Sequence, residues 1–143
     1  MTETARGSCV CGAVHYEVTA PYGRFQYCYC SRCRKRSGAA SVASLFVKAD
    51  QLTWLEGHEH VRQFDLPTAE YWCSAFCTRC GSSVPWLFRN GAMYSVPAGG
   101  LDDDIGVTPS RNIFFASRAG WYVHPHDLET FDGVPQRAHP AQG

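Results

Sequence analysis

The chain has 143 residues, and its 13 basic and 13 acidic side chains give a formal net charge of zero. Because no long block of one sign rises above this balance, the sequence argues against a nucleic-acid partner, which would need a basic surface. With 45% hydrophobic and 18% charged residues, the composition excludes disorder over most of the length and predicts one packed domain.

Most of the predicted elements are strands. Alternating apolar and polar residues at 13–18 predict a half-buried strand, and further runs are rich in β-branched and aromatic residues. These runs cover residues 25–28, 41–47, 52–55, 71–77, 84–88, 93–96 and 112–116. One short helical turn is expected within 126–131. The sequence therefore predicts a mainly β domain over residues 1–132 and a loose tail over 133–143.

The location of the protein determines how its eight cysteines are interpreted. The first residues lack the basic start and apolar run of a secretory signal, so we expect a cytoplasmic protein. The longest nearly apolar run, residues 39–47, is far shorter than the ~20 residues of a membrane helix, so we expect no membrane association. In a reducing cytosol, clustered cysteines favour metal binding over disulfides.

Four of the cysteines form two short motifs, Cys9-x-Cys11 and Cys77-x-x-Cys80-Gly81. The glycine after Cys80 can adopt a positive φ, which turns backbone amides toward the sulfurs and stabilises their charge. Cys9 and Cys11, two apart on an extended segment, would point to one side and supply two more sulfurs. The spacing predicts a closed zinc site with four cysteine ligands. The alternative is four buried free thiols that act as small hydrophobic residues.

A second group, Cys28, Cys30 and Cys33, places three potential ligands within six residues. Three protein ligands with one vacant position are typical of a catalytic zinc, so we predict that these cysteines are catalytic as well as metal-ligating. The remaining thiol, Cys73, is either a core residue or an additional group near one of the metals.

Basic side chains surround this second group, at Arg32, Arg34, Lys35 and Arg36. A zinc ion held by three thiolates carries a formal charge of −1, so cations beside it would offset that charge or hold an anionic ligand. We predict that Arg34 and Lys35 bind the carboxylates of a substrate. The alternative is a basic turn that is simply solvated.

The order of these motifs resembles the glutathione-dependent formaldehyde-activating enzyme family, which includes the vertebrate centromere protein V. Residues 100–103 and 109–121 are similar to the later strands and the tryptophan-bearing segment of that family. The resemblance implies a β-tent fold of short antiparallel sheets, a structural zinc held by the first four cysteines, and a labile zinc at the second group, facing a glutathione groove.

The chain departs from the family pattern at two positions, since Tyr29 and Asn112 stand where the family usually has histidine. We therefore include Tyr29 among the expected substrate-binding residues. By resemblance, the expected activity is that of a zinc-dependent carbon-sulfur lyase or synthase, which forms S-(hydroxymethyl)glutathione from glutathione and formaldehyde.

Two other functions remain open. The chain is alternatively a zinc-stabilised module that binds glutathione or a similar small thiol without turnover. A methionine sulfoxide reductase would share the tent-like fold and the four-cysteine zinc, but that family does not need the cysteine group at residues 28–33.

Overall fold

A computed structural model describes residues 3–136, which contain ten short strands, one α-helix and several 3-10 turns. The strands are β1 Thr4–Ser8, β2 His15–Thr19, β3 Phe25–Cys28, β4 Val42–Lys48, β5 Leu52–Glu56, β6 Val61–Asp65, β7 Cys73–Cys77, β8 Trp86–Leu87, β9 Met93–Pro97 and β10 Arg111–Ile113. The helix, α1, spans Ser31–Ser37. The prediction of a mainly β fold is confirmed, and no helix among residues 3–136 is long and apolar enough to span a membrane.

The strands form three small sheets. One has the order β1-β2-β5, the second has the order β10-β3-β4-β9-β8, and the third pairs β6 with β7. All neighbours are antiparallel except β10 and β3, which run parallel. The expectation of short antiparallel sheets is therefore confirmed, with one parallel pair at the edge of the five-stranded sheet.

One core joins the three sheets, because buried side chains from each of them belong to a single cluster. Tyr16 on β2, Leu45 on β4 and Ala75 on β7 are at most 1% exposed. The alternation predicted for residues 13–18 is observed, with Tyr16 and Val18 buried between partly exposed neighbours. Successive side chains of a strand point to opposite faces, so a strand that is buried on one face alternates apolar and polar residues.

The five-stranded sheet turns its second face away from this core, toward a cavity. Gln26 on β3 is the cross-strand partner of Ser44 on β4, and Phe46 on β4 is the partner of Ser95 on β9. All four side chains line the cavity. The sheet therefore has a packed apolar face and a mixed polar and aromatic face, and the second of these reaches Cys28 at the end of β3.

Three elements were not predicted from the sequence: β1, β6 and α1. No residue of α1 is buried, so its sequence carries no apolar stripe that would mark a helix. The predicted strand over 112–116 ends early because Phe114 adopts a left-handed backbone with φ of 53°. The helical turn expected within 126–131 occurs at Pro125–Asp127. Of the predicted tail, residues 137–143 lie outside the described part of the chain.

Candidate functional site

Four sulfurs meet where β1 and β7 end. The Sγ atoms of the four-cysteine cluster, which comprises Cys9, Cys11, Cys77 and Cys80, all lie within 4.8 Å of one another. The Cys9 and Cys11 sulfurs are 3.5 Å apart, and those of Cys11 and Cys77 are 3.9 Å apart. Tetrahedral zinc with bonds of about 2.3 Å separates its sulfurs by roughly 3.8 Å, so this donor set fits a closed zinc site.

Two tight turns hold these sulfurs in place. The N–H of Gly12 donates to the carbonyl of Cys9 at 3.0 Å, and the N–H of Gly81 donates to that of Cys77 at 2.7 Å. Both glycines adopt a positive φ, 79° and 78°, which side chains rarely tolerate. The positive φ expected at Gly81 is thus observed, whereas Cys9 and Cys11 lie on a turn rather than on the extended segment that we expected.

Hydrogen bonds stabilise negative charge on two of the sulfurs. The N–H of Val14 donates to Cys9 Sγ at 3.2 Å. The hydroxyl of Ser82, 3.2 Å from Cys80 Sγ, and the Ser82 N–H lower the pKa of the Cys80 thiol to about 5. Because the thiolate is the form that binds metal, this turn stabilises the metal-binding form of Cys80 even without a bound cation.

Three more sulfurs meet at the junction of β3 and α1. The three-cysteine cluster comprises Cys28, Cys30 and Cys33, whose Sγ atoms also lie within 4.8 Å of one another. Cys28 ends β3, Cys30 is the N-cap of α1, and Cys33 lies in its first turn. The N–H of Cys33 donates to Cys30 Sγ at 3.4 Å, so the cap itself positions one of the sulfurs.

A hydrogen bond links two thiols of this cluster. A hydrogen bond from Cys33 lowers the pKa of Cys28, while the same bond, together with burial, raises the pKa of Cys33. The Cys28 thiolate is thus stabilised by the Cys33 thiol. A bound divalent cation would take over this role, because its ligands bind as thiolates and release their protons. Three sulfurs fit an open zinc site, with the fourth side available to a ligand.

The three-cysteine cluster lines a cavity of about 670 Å³. Its floor is the outer face of the five-stranded sheet, including Gln26, Ser44 and Ser95. Arg32 and Arg36 on α1 also line it. The remaining walls are largely aromatic and come from Phe46, Tyr71, Trp72, Trp86, Phe88 and Phe114. A volume and lining of this kind are typical of a small-molecule site.

A neighbouring cavity of about 520 Å³ is strongly basic. It shares Arg32, Arg36 and Trp72 with the first cavity and adds Lys35. No acidic side chain belongs to its lining among residues 3–136. The two cavities together form a cleft with thiols and aromatic rings in one part and three cations in the other.

Of the three predicted substrate-binding residues, two lie outside the cleft. Tyr29 and Arg34 line neither cavity, and Lys35 lines only the basic one. Tyr29 is 6% exposed and packs edge-on against Phe115, with ring centroids 5.0 Å apart. Arg34 Nη2 donates to the carbonyl of Ser117 at 3.3 Å. The α-helix explains the difference, because Arg34 points away from the side of α1 that carries Arg32 and Arg36.

Arg36 is the most enclosed of the cations in the cleft. Its Nη1 donates to Ser83 Oγ at 3.0 Å. Burial lowers the pKa of Arg36 and the negative sulfurs of the three-cysteine cluster oppose that effect, so the guanidinium stays charged. A spacing of four residues places Arg32 and Arg36 on one face of the helix. This pairing could have been predicted from the sequence if the helix itself had been predicted.

Cys73 lies in the wall of the larger cavity, outside both cysteine clusters. It is 1% exposed, and its Sγ lies 3.6 Å from the carbonyl of Tyr71. Burial raises the pKa of the Cys73 thiol. These surroundings favour a neutral wall residue over an additional metal ligand.

Comparison with known proteins agrees with this geometry. The sequence profile of glutathione-dependent formaldehyde-activating enzymes matches residues 4–117, which include both cysteine clusters and all ten strands. The chain belongs to the glutathione-dependent formaldehyde-activating enzyme family. This result confirms the resemblance inferred from the order of the cysteine motifs.

A protein of Halomonas elongata is 32% identical over 123 residues, which are 80% of this chain and 77% of that protein. It is provisionally named a glutathione-dependent formaldehyde-activating enzyme. A crystal structure of a Rhodobacter sphaeroides protein is similar, with a TM-score of 0.58 and 26% identity. That similarity covers 75% of this chain and 98% of the other. The family's fold and cysteine motifs therefore lie within the described part of the chain.

Proposed function

We propose that this member of the family adds the thiol of glutathione to formaldehyde to form S-(hydroxymethyl)glutathione, the reverse of a carbon-sulfur lyase reaction. The observation that carries the proposal is the position of the three-cysteine cluster. It lies in a cleft formed by the larger, aromatic cavity and the basic cavity. The family membership and the provisional name of the Halomonas elongata relative support it.

The two cysteine clusters have different roles in this proposal. The four-cysteine cluster is closed by its own ligands and would hold a structural zinc that joins the loops after β1 and β7. Zinc held by Cys28, Cys30 and Cys33 would supply a free coordination position at which a thiol loses its proton. The catalytic role of these three residues is to keep that position facing the cavity.

The cations of the cleft would bind the glutathione tail. Glutathione carries two carboxylates and one ammonium group, so it is an anion even before its thiol ionises. Arg32, Lys35 and Arg36 line the basic cavity, and two of them also line the cavity that holds the sulfurs. We therefore assign carboxylate binding to these three residues. Arg34 is not part of this proposal.

Formaldehyde would react beside the polar floor. In the addition, a sulfur-carbon bond forms, the carbon-oxygen π bond breaks, and the aldehyde oxygen gains the proton that the thiol lost. Gln26 is 6% exposed, and its Oε1 accepts from Arg111 Nε at 2.8 Å, which leaves its NH₂ group as a donor. With Ser44, this amide would supply hydrogen bonds to the oxygen as charge develops on it.

Exchange NMR between formaldehyde and S-(hydroxymethyl)glutathione tests the activity, because it measures formation and breakdown of the adduct at equilibrium. With zinc-loaded protein we expect exchange to rise above the uncatalysed rate in proportion to enzyme concentration, and we expect Cys30→Ser to abolish this increase. An exchange rate equal to the uncatalysed one, together with stoichiometric glutathione binding, would instead establish a non-catalytic thiol-binding module.

Calorimetric titration with glutathione tests the assignment of the cations. Charge-assisted contacts are worth about 1.5–3 kcal/mol, so Arg32→Ala or Arg36→Ala should weaken binding roughly tenfold or more. Arg34→Ala is the matched control, since its guanidinium donates to a backbone carbonyl and lines neither cavity. Equal losses in all three variants would contradict the assignment.

A further inference from the structure

The larger cavity contains a contiguous aromatic surface with no role in the proposed reaction of formaldehyde. We call this surface, formed by Phe46, Trp86 and Phe88, the aromatic wall. The rings of Trp86 and Phe88 stack with centroids 5.0 Å apart, and the Phe46 ring meets Phe88 edge-on at 5.7 Å. All three are only partly buried and line the cavity, so the wall presents a preformed apolar surface to a ligand.

The wall lies well away from the sulfurs. Cys28 pairs with Val42 across β3 and β4, and Phe46 follows Val42 by four residues on the same strand. At about 3.3 Å per residue, Phe46 is therefore roughly 13 Å further along the sheet than Cys28. Gln26 and Ser44 occupy the floor between them. A one-carbon aldehyde that reacts beside Cys28 would leave the far part of the cavity without a ligand.

Charge separates the two ends of the cleft. Phe88 also lines a smaller cavity of about 580 Å³. The other residues in its lining are Glu70, Tyr71, Arg89 and Asn90. Its one carboxylate, Glu70, and its one cation, Arg89, balance each other in charge, whereas the basic cavity has three cations and no acidic side chain in its lining among residues 3–136. The carboxylates of glutathione would be attracted to the three cations of the basic cavity, so the wall is left for the second reactant.

We propose that the aromatic wall binds the apolar chain of an alkyl aldehyde several carbons long, and that such aldehydes are better substrates than formaldehyde. This inference rests on the proposed function. The chemistry is the same addition: the sulfur of glutathione bonds to the aldehyde carbon, the carbon-oxygen π bond breaks, and the thiol proton ends on the oxygen of a hemithioacetal. A chain that extends along the sheet floor would place its far methylenes against Phe46 and Phe88.

The first experiment compares formaldehyde, butanal and octanal with zinc-loaded protein, as acceleration of adduct formation over the uncatalysed rate. We expect the acceleration to be at least tenfold greater for octanal than for formaldehyde. Phe88→Ala should remove most of that difference between the two aldehydes. Trp121→Ala is the matched control, because Trp121 is an exposed aromatic residue, 66% accessible, outside the cavity lining.

The second experiment measures binding without turnover, by calorimetry with S-methyl, S-butyl and S-octyl glutathione. Each methylene buried on the wall should tighten binding by roughly three- to fourfold, and Phe88→Ala should flatten this series. Circular dichroism verifies that the variant is folded.

The outcomes separate the two proposals. Equal acceleration of all three aldehydes, with no effect of Phe88→Ala, would show that alkyl aldehydes are not the preferred substrates. The proposed function would remain intact. Failure to accelerate any aldehyde would overturn the proposed function, and with it the alkyl aldehyde as a substrate. A flat S-alkyl series would show that the wall does not bind an apolar chain.

Discussion

Arg36 on α1 donates a hydrogen bond of 3.0 Å from Nη1 to Oγ of Ser83, three residues after Cys80. This contact joins the helix that starts in the three-cysteine cluster to the loop that leaves the four-cysteine cluster. The position of a cation in the binding cleft therefore depends on a loop that the other cluster organises.

We expect Ser83→Ala to weaken glutathione binding without unfolding the protein. Arg36 would lose its hydroxyl partner, and a hydrogen bond to a charged group is worth about 1.5–3 kcal/mol. Calorimetric titration should show roughly a tenfold loss of affinity. Thr130→Ala, which removes an exposed hydroxyl outside both cavities, serves as the control. Unchanged affinity in Ser83→Ala would mean that Arg36 needs no support from this loop.

Removal of one ligand should have opposite consequences in the two clusters. A structural zinc contributes about 10–16 kcal/mol in small metal-folded peptides, which is comparable to the stability of a whole domain. Cys80→Ser should therefore give unfolded or insoluble protein, whereas Cys30→Ser should stay folded and lose one zinc. Circular dichroism and metal analysis check both variants. If Cys30→Ser unfolds as well, the second cluster is structural.

The zinc affinity of the four-cysteine cluster should depend on Ser82 in a pH-dependent way. The pKa of Cys80 is about 5, against an ordinary value of 9.0, so its thiolate is already present at neutral pH. Ser82→Ala removes the hydroxyl and raises that pKa, so zinc must then displace a proton. Competition with a chromophoric chelator should show a larger loss of affinity at pH 6 than at pH 9, where the thiol ionises unaided. Equal losses at both values would contradict this.

Tyr16 should be replaceable by phenylalanine with a gain in stability. Its hydroxyl is buried and has no hydrogen-bond partner among residues 3–136, and an unpaired buried polar group costs about 1–3 kcal/mol. Tyr16→Phe should therefore raise the melting temperature. Tyr94→Phe is the contrasting variant, since the Tyr94 hydroxyl accepts from Trp54 Nε1 at 3.3 Å, and it should lower the melting temperature. A lower melting temperature in Tyr16→Phe would contradict the expectation.

The sequence alone determined the mainly β fold, the family and the grouping of seven cysteines into two clusters. These features depend on local patterns. Alternation reports one-sided burial of a strand, and a spacing of two or three residues with a following glycine places neighbouring sulfurs in one turn.

Only the tertiary structure decided which side chains face the cleft. The helix α1 has no buried residue and so no apolar period that would reveal it. Without the helix, the sequence predicted Arg34 and Lys35 for carboxylate binding, and the structure instead places Arg32 and Arg36 beside Lys35 in the cleft. The aromatic wall likewise depends on the register of β4 with β9, which aligns residues that are distant in sequence. Helix phase and strand register are set by packing against the rest of the chain, and local composition does not encode them.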